Sequence, residues 1–202
     1  MNYFEFFDLP RKLTLDVVAL EKQFYAMSRK LHPDRFASRP LAEQEEALAQ
    51  SSLLNDAYRT LKDPILRTQY LLKLEGVELE EQSKAATDAA RATGEQKKQV
   101  VPPELLEEVF ELNMQLQEMR AATQMGEDEP ELRRDLMTAK DTFDARMVET
   151  QSELERLWTQ WDHALEAHDE AAKASARDAM VALLNKRSYL RNLVREVNEA
   201  LE

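Results

Sequence analysis

The sequence predicts an all-α protein, with an N-terminal helical hairpin domain followed by a C-terminal antiparallel three-helix bundle. Three observations point there. The 202 residues contain only three glycines, whereas β-rich folds need glycine in frequent tight turns. Apolar residues recur at spacings of three and four over long stretches rather than alternating. The seven prolines fall at the ends of such stretches, not inside them.

Residues 3–9 are rich in aromatics and read as a short helical turn ending at Pro10. Thr14 suits the N-cap of a helix running to about Leu31. Leu20, Phe24, Met27 and Leu31 follow the spacing 4, 3, 4, which is one helical face. His32 precedes a proline and is biased away from helical geometry, so the helix stops there. A loop over 32–40 follows, and Pro40 opens a second long helix to about Lys62, with Leu41, Leu48, Leu54, Ala57, Tyr58 and Leu61 as its expected core. Asp63-Pro64 is a cap followed by a first-turn proline, starting a helix that ends near Gly76. These elements make a first domain over residues 1–76.

Residues 77–103 are polar and alanine-rich without apolar period, and read as a linker. Residues 104–202 form the bundle. Its helices cover about 103–125, Pro130 to about His168, and Glu170 to the end. Trp158 and Trp161 lie on the core stripe of the second helix. His163 and His168 are five apart, which does not bring two ligands onto one helical face, and both are expected in solvent.

Hydrophobic residues at 43% and charged residues at 33% fit a packed core rather than a disordered tail. The absence of cysteine excludes disulfides and any cysteine-ligated zinc or iron–sulfur site held by this chain alone. No stretch approaches the ~20 apolar residues of a membrane span, and the N-terminus does not read as a secretory signal, so no membrane contact and a cytoplasmic location are expected. A net charge of −12 disfavours nucleic-acid binding. Residues 11–40 run against that balance, with seven basic and three acidic side chains. Such an island suits one acidic partner surface.

The segment "RKLHPDRF" lies in that island. As a catalytic pair, His32 and Asp34 would need the carboxylate to orient the imidazole. The intervening proline tends to point the two side chains apart, no Ser or Cys nucleophile is suggested nearby, and no glycine-rich phosphate cradle exists. As a plain helix stop, the tripeptide would carry no function. Its context argues for a docking surface. With the core stripe of the helix at 0°, Lys22 and Arg29 fall near 180–200° and Val18 and Tyr25 near 140–160°, at about 100° per residue. A basic face with an exposed aromatic therefore leads into a rigid loop.

The order "YFEFFDLP", "LEKQFYAMSRKLHPDRF" and "LNDAYRTLKDPILRTQYLL" resembles a J-domain, the module by which J-proteins stimulate the ATPase of DnaK-type chaperones. "DRFAS" after the tripeptide, "RTQYLLKLEG" closing the domain, the lack of a Gly/Phe-rich segment and of zinc-binding cysteines, and an acidic helical C-terminal domain narrow the resemblance to HscB-type co-chaperones of iron–sulfur cluster assembly. That resemblance implies a DnaK/HscA-type chaperone as partner of the first domain and an IscU-like scaffold protein as partner of the bundle. It implies that His32, Pro33 and Asp34 trigger the ATPase, with Lys22, Tyr25, Arg29, Lys30 and Arg35 as supporting contacts. No chemistry and no cofactor of its own are implied. The 77–103 segment is longer and more polar than the compact connection of that family.

On the first bundle helix, Leu105, Val109, Leu112, Leu116 and Met119 lie within about 40° of one direction, the expected core stripe. Leu106, Phe110 and Met114 fall near 100–180°, and Glu107, Glu111 and Glu118 at about 200–240°. This second apolar strip either packs on the third helix or stays open as a patch for a basic and apolar partner. The resemblance implies the latter, with Tyr189 bordering it as a further scaffold contact. Positions 107 and 114 exchange apolar and acidic character relative to the usual family pattern. Delivery of a different client, or a helical adaptor without chaperone activity, are the alternatives.

Overall fold

In a computed structural model, residues 1–77, 79 and 101–202 are described. They are helical, with no strand among them. The helices are α1 (Tyr3–Phe6), α2 (Val17–Leu31), α3 (Leu41–Lys62), α4 (Pro64–Leu74), α5 (Leu106–Met125), α6 (Pro130–Glu166) and α7 (Glu170–Leu201), with 3-10 turns at Pro33–Phe36 and Pro103–Leu105. The all-α expectation and its division into a hairpin domain and a helical bundle hold. The expected linker 77–103 lies mostly outside the described residues.

The chain forms two compact units. One comprises Met1–Leu79 with Leu157–Arg177, and the other falls within Glu80–Arg156 and Asp178–Glu202. The first unit therefore includes the end of α6 and the start of α7, beyond the boundary at 76 that the hydrophobic pattern suggests.

Local chemistry sets most helix ends in the first unit. Asn2 and Glu5 close α1 with a reciprocal capping box, Glu5 N donating to Asn2 Oδ1 at 3.0 Å and Asn2 N to Glu5 Oε2 at 3.1 Å. Asp63 accepts from the backbone N–H groups of Ile65 and Leu66, both at 2.8 Å, at the start of α4. The α2 cap differs from expectation. Asp16, not Thr14, accepts from Ala19 N, at 3.0 Å. Thr14 lies two residues before that cap position, and its N–H, at 2.9 Å, and its hydroxyl both donate to Asp162 instead.

The α2–α3 hairpin is held by a stack of Phe24 on Tyr58, with ring centroids 4.1 Å apart. Tyr58 donates its hydroxyl to Glu21 at 3.0 Å, and Lys62 lies over its ring at 5.2 Å. Leu54, Ala57 and Leu61 are buried as expected, but Leu41 and Leu48 are 70% and 61% exposed. The core register of α3 runs through Ala47, Leu54 and Leu61. At 100° per residue Leu41 and Leu48 sit about 120–140° away from Leu54, on the opposite side.

The loop between α1 and α2 is clamped from two sides. Leu13 is fully buried. Its N–H donates to Asp162 at 2.7 Å, and its carbonyl accepts from Arg67 Nε at 2.9 Å. Arg67 Nη1 also donates to the Leu61 carbonyl. Trp161 Nε1 donates to Arg11 O at 3.2 Å, and Lys12 pairs with Glu166. Burial pulls the Arg67 guanidinium below its ordinary pKa, an effect that Asp162 and Asp63 oppose.

In the second unit, Leu105, Val109, Leu112, Leu116 and Met119 of α5 pack with Leu132, Leu136 and Phe143 of α6 and with Tyr189, Leu190, Leu193 and Val197 of α7. The predicted α5 stripe is thus the core. Glu104 pairs with Lys186 at 3.3 Å, and Glu108 with Arg146. Gly126 ends α5 in the left-handed region at φ 71°. A Cβ there meets no atom within 4 Å, so Gly126→Ala carries only the backbone strain. We expect it to destabilise this unit by about 1 kcal/mol in urea unfolding followed by circular dichroism.

Candidate functional site

Helix α2 buries Leu20 and half-buries Phe24, Met27 and Leu31 against α3, so its opposite face must meet water. That face carries Lys22, Tyr25 and Arg29, all exposed, with Lys30 beside them and Val18 at its start. Two cations in the last turn, Arg29 and Lys30, also oppose the partial negative charge of the helix C-terminus.

His32 ends α2 in extended geometry, at φ −61° and ψ 125°. Pro33 then starts the 3-10 turn, its ring supplying the φ that turn needs. His32 Nδ1 accepts from Asp34 N at 3.3 Å, tying the imidazole to the turn that follows it. Arg35 folds back, donating to the Arg29 carbonyl at 3.1 Å, and Gln44 of α3 donates to the Arg39 carbonyl at 2.8 Å. The loop is therefore braced at both ends, although no side chain in it is buried.

Asp34 Oδ2 stands 3.6 Å from His32 Nδ1, and the two side chains are 90% and 55% exposed. A solvent-facing carboxylate at that distance does not orient the imidazole as an acid–base pair requires. What the geometry offers is a rigid, accessible contact surface at the end of a basic face. The eight residues singled out here from the sequence, His32, Pro33, Asp34, Lys22, Tyr25, Arg29, Lys30 and Arg35, thus come together on one helix and its loop.

The second candidate surface is on α5. Leu106, Phe110 and Met114 are 55%, 69% and 58% exposed, so the strip does not pack on α7. Glu107, Glu111 and Glu118 beside it are exposed, and among the described residues no ion pair engages them. Glu104 and Glu108, on another side of the helix, are the carboxylates used to hold the bundle. Tyr189 is placed elsewhere. It is 7% exposed within the core cluster, and burial, then the nearby Glu196, push its phenol pKa up. A core tyrosine does not line the open strip.

An open cleft of about 600 Å³ in the second unit is lined by Thr138, Asp141, Thr142, Arg146, Glu149 and Lys186 among others. Its two cations are already paired with Glu108 and Glu104. Among the described residues no cluster of His, Cys, Asp or Glu could hold a metal ion, and no helix is long and apolar enough to cross a membrane. The side chains that pattern reading missed are Asp162 and Arg67, both nearly buried. Asp162 on a long polar helix and Arg67 on the short α4 meet groups far away in the chain, and a single charged residue carries no signal of such a partner.

The model of the DnaJ domain family matches residues 2–70. Over 79 residues the chain is 47% identical to the Co-chaperone protein HscB homolog of two strains of Vibrio cholerae, covering 39% of this chain and 46% of that protein. The matched segment thus spans about half the length of these curated relatives. The solved structure of the chaperone HscB from Vibrio cholerae aligns with a TM-score of 0.55 at 27% identity, covering 98% of this chain and 96% of that one. The crystal structure of the human co-chaperone protein HscB aligns with a TM-score of 0.60 at 24% identity, covering 98% and 81%. The latter likeness is one of fold.

Proposed function

We propose, from the premise that this chain belongs to the HscB-type J-domain co-chaperone family, that it stimulates the ATPase of a DnaK/HscA-type chaperone and delivers an IscU-like iron–sulfur scaffold protein to it. The observation that carries this reading is the braced, solvent-facing His32-Pro33-Asp34 loop at the end of a basic helical face, inside the residues matched as a DnaJ domain. Hydrolysis takes place in the partner. This chain supplies a contact and no reacting group. Lys22, Tyr25, Arg29, Lys30 and Arg35 attract and orient an acidic surface, and the loop engages it. The cytoplasm is the compartment this reading expects, with no nucleic acid and no membrane involved.

The exposed α5 strip supports the second half of the reading. Leu106, Phe110 and Met114 offer apolar area, and Glu107, Glu111 and Glu118 offer charge for a basic and apolar partner. One chain carrying both contacts raises the effective concentration of scaffold at the chaperone, so two modest affinities suffice.

The test is steady-state ATP turnover by the chaperone, with scaffold alone, this protein alone, and both. Stimulation by this protein, and more with scaffold present, is expected. No stimulation in either arm overturns the reading. Phe110→Ala truncates the largest exposed apolar side chain on the strip. It should weaken scaffold binding by more than about tenfold in calorimetry while leaving scaffold-free stimulation in place. Recovery of another client and no cluster scaffold in pull-downs with the full chain would favour the different-client alternative.

A further inference from the structure

We propose that Met114 is an oxidation switch on the α5 strip, with hydrogen peroxide as the oxidant and loss of scaffold docking as the consequence. The proposal rests on the docking reading above. Met114 is 58% exposed and supplies one of the three apolar side chains of the strip, with Leu106 and Phe110. Its thioether is accessible in the free protein and would be covered in the docked one. The buried methionines Met119 and Met180, at 5% and 0% exposed, are shielded by the packing around them. Met125 and Met137 are also exposed, at 73% and 54%. Met125 lies about 16 Å further along α5, at 1.5 Å per residue, and Met137 is on α6.

The chemistry is a two-electron oxidation. The Met114 sulfur attacks one peroxide oxygen, an S–O bond forms as the O–O bond breaks, and the departing oxygen takes up the second proton and leaves as water. The product replaces a flexible apolar group by a polar, chiral sulfoxide. A third of the strip then resists desolvation, while the core stripe on the other side of α5 is untouched. Methionine sulfoxide reductases reverse the change, so the surface can be restored without resynthesis.

The experiment treats the full chain with hydrogen peroxide, locates sulfoxides by mass spectrometry, and measures affinity for an IscU-type scaffold before and after. Wild type, Met114→Leu and Met137→Leu are each judged by their own treated-to-untreated ratio. We expect sulfoxide at Met114 before Met119 or Met180, and binding about tenfold weaker in treated wild type. Met137→Leu should fall equally, Met114→Leu should keep a ratio near one, and reductase should restore wild type. Prior scaffold binding should protect Met114 but not Met137.

An equal fall in Met114→Leu, an unchanged ratio with Met114 oxidised, or a Met114 that resists while Met137 reacts would each overturn the switch. Untreated wild type that does not bind the scaffold overturns the docking reading and the switch together. Normal untreated affinity with an unchanged ratio overturns the switch alone.

Discussion

His32→Gln is expected to reduce stimulation of the chaperone ATPase to the basal rate while leaving the protein folded. His32 closes α2 in extended geometry, and Pro33 fixes the turn whatever side chain stands at 32. The imidazole is 55% exposed, so its loss opens no cavity and unfolding midpoints should not move. What goes is the half-exposed ring, with Nδ1 held by Asp34 N. A glutamine amide has an acceptor and donors too, but on a longer and freer chain that is not held in that way. On the proposed reading the loop engages the partner through His32, Pro33 and Asp34, so one substitution there should remove most of the stimulation. Stimulation equal to wild type, with the proteins matched in circular dichroism, would exclude the loop as the trigger. The basic face adds a second signature. Lys22, Arg29 and Lys30 are exposed, so the concentration needed for half-maximal stimulation by wild type should rise with ionic strength.

Asp162→Ala is the second large effect, this time on stability. The carboxylate accepts from Leu13 N, Thr14 N and the Thr14 hydroxyl, and is 7% exposed. Alanine leaves these donors without an acceptor and removes the carboxylate charge that most offsets the desolvation of buried Arg67. Losses of this kind cost about 3 kcal/mol. Asp162→Asn keeps one acceptor oxygen and should cost roughly half as much. Both tryptophans, Trp158 and Trp161, lie in the stretch Leu157–Arg177 of the first unit, so fluorescence in a urea titration reports that unit. A midpoint shift worth less than about 0.5 kcal/mol, the usual range of an ordinary surface substitution, would sink the idea that this clamp matters.

Much of the candidate site was legible because it is built from local rules. His-Pro ends a helix for steric reasons, and the basic face follows from spacing along one helix. The α5 strip was legible as a second apolar direction, but not as exposed, because periodicity cannot say how many sides of a helix a bundle covers. Burial answered that for Leu106, Phe110 and Met114, and it moved Tyr189 into the core. Leu41 and Leu48 failed for a related reason. Apolar period alone does not choose between adjacent positions, and the buried register of α3 takes Ala47 and leaves Leu48 one position off it.

The sequence by itself determined the helices, their ends and the rigid loop, through prolines, caps and apolar period. These act within a few residues, so the order of the chain contains them. The tertiary structure decided which faces are covered and that Asp162 should meet Leu13 and Thr14 across 149 and 148 positions. Pairings at such separation depend on how whole helices pack, and a lone aspartate on a polar helix does not announce its partner.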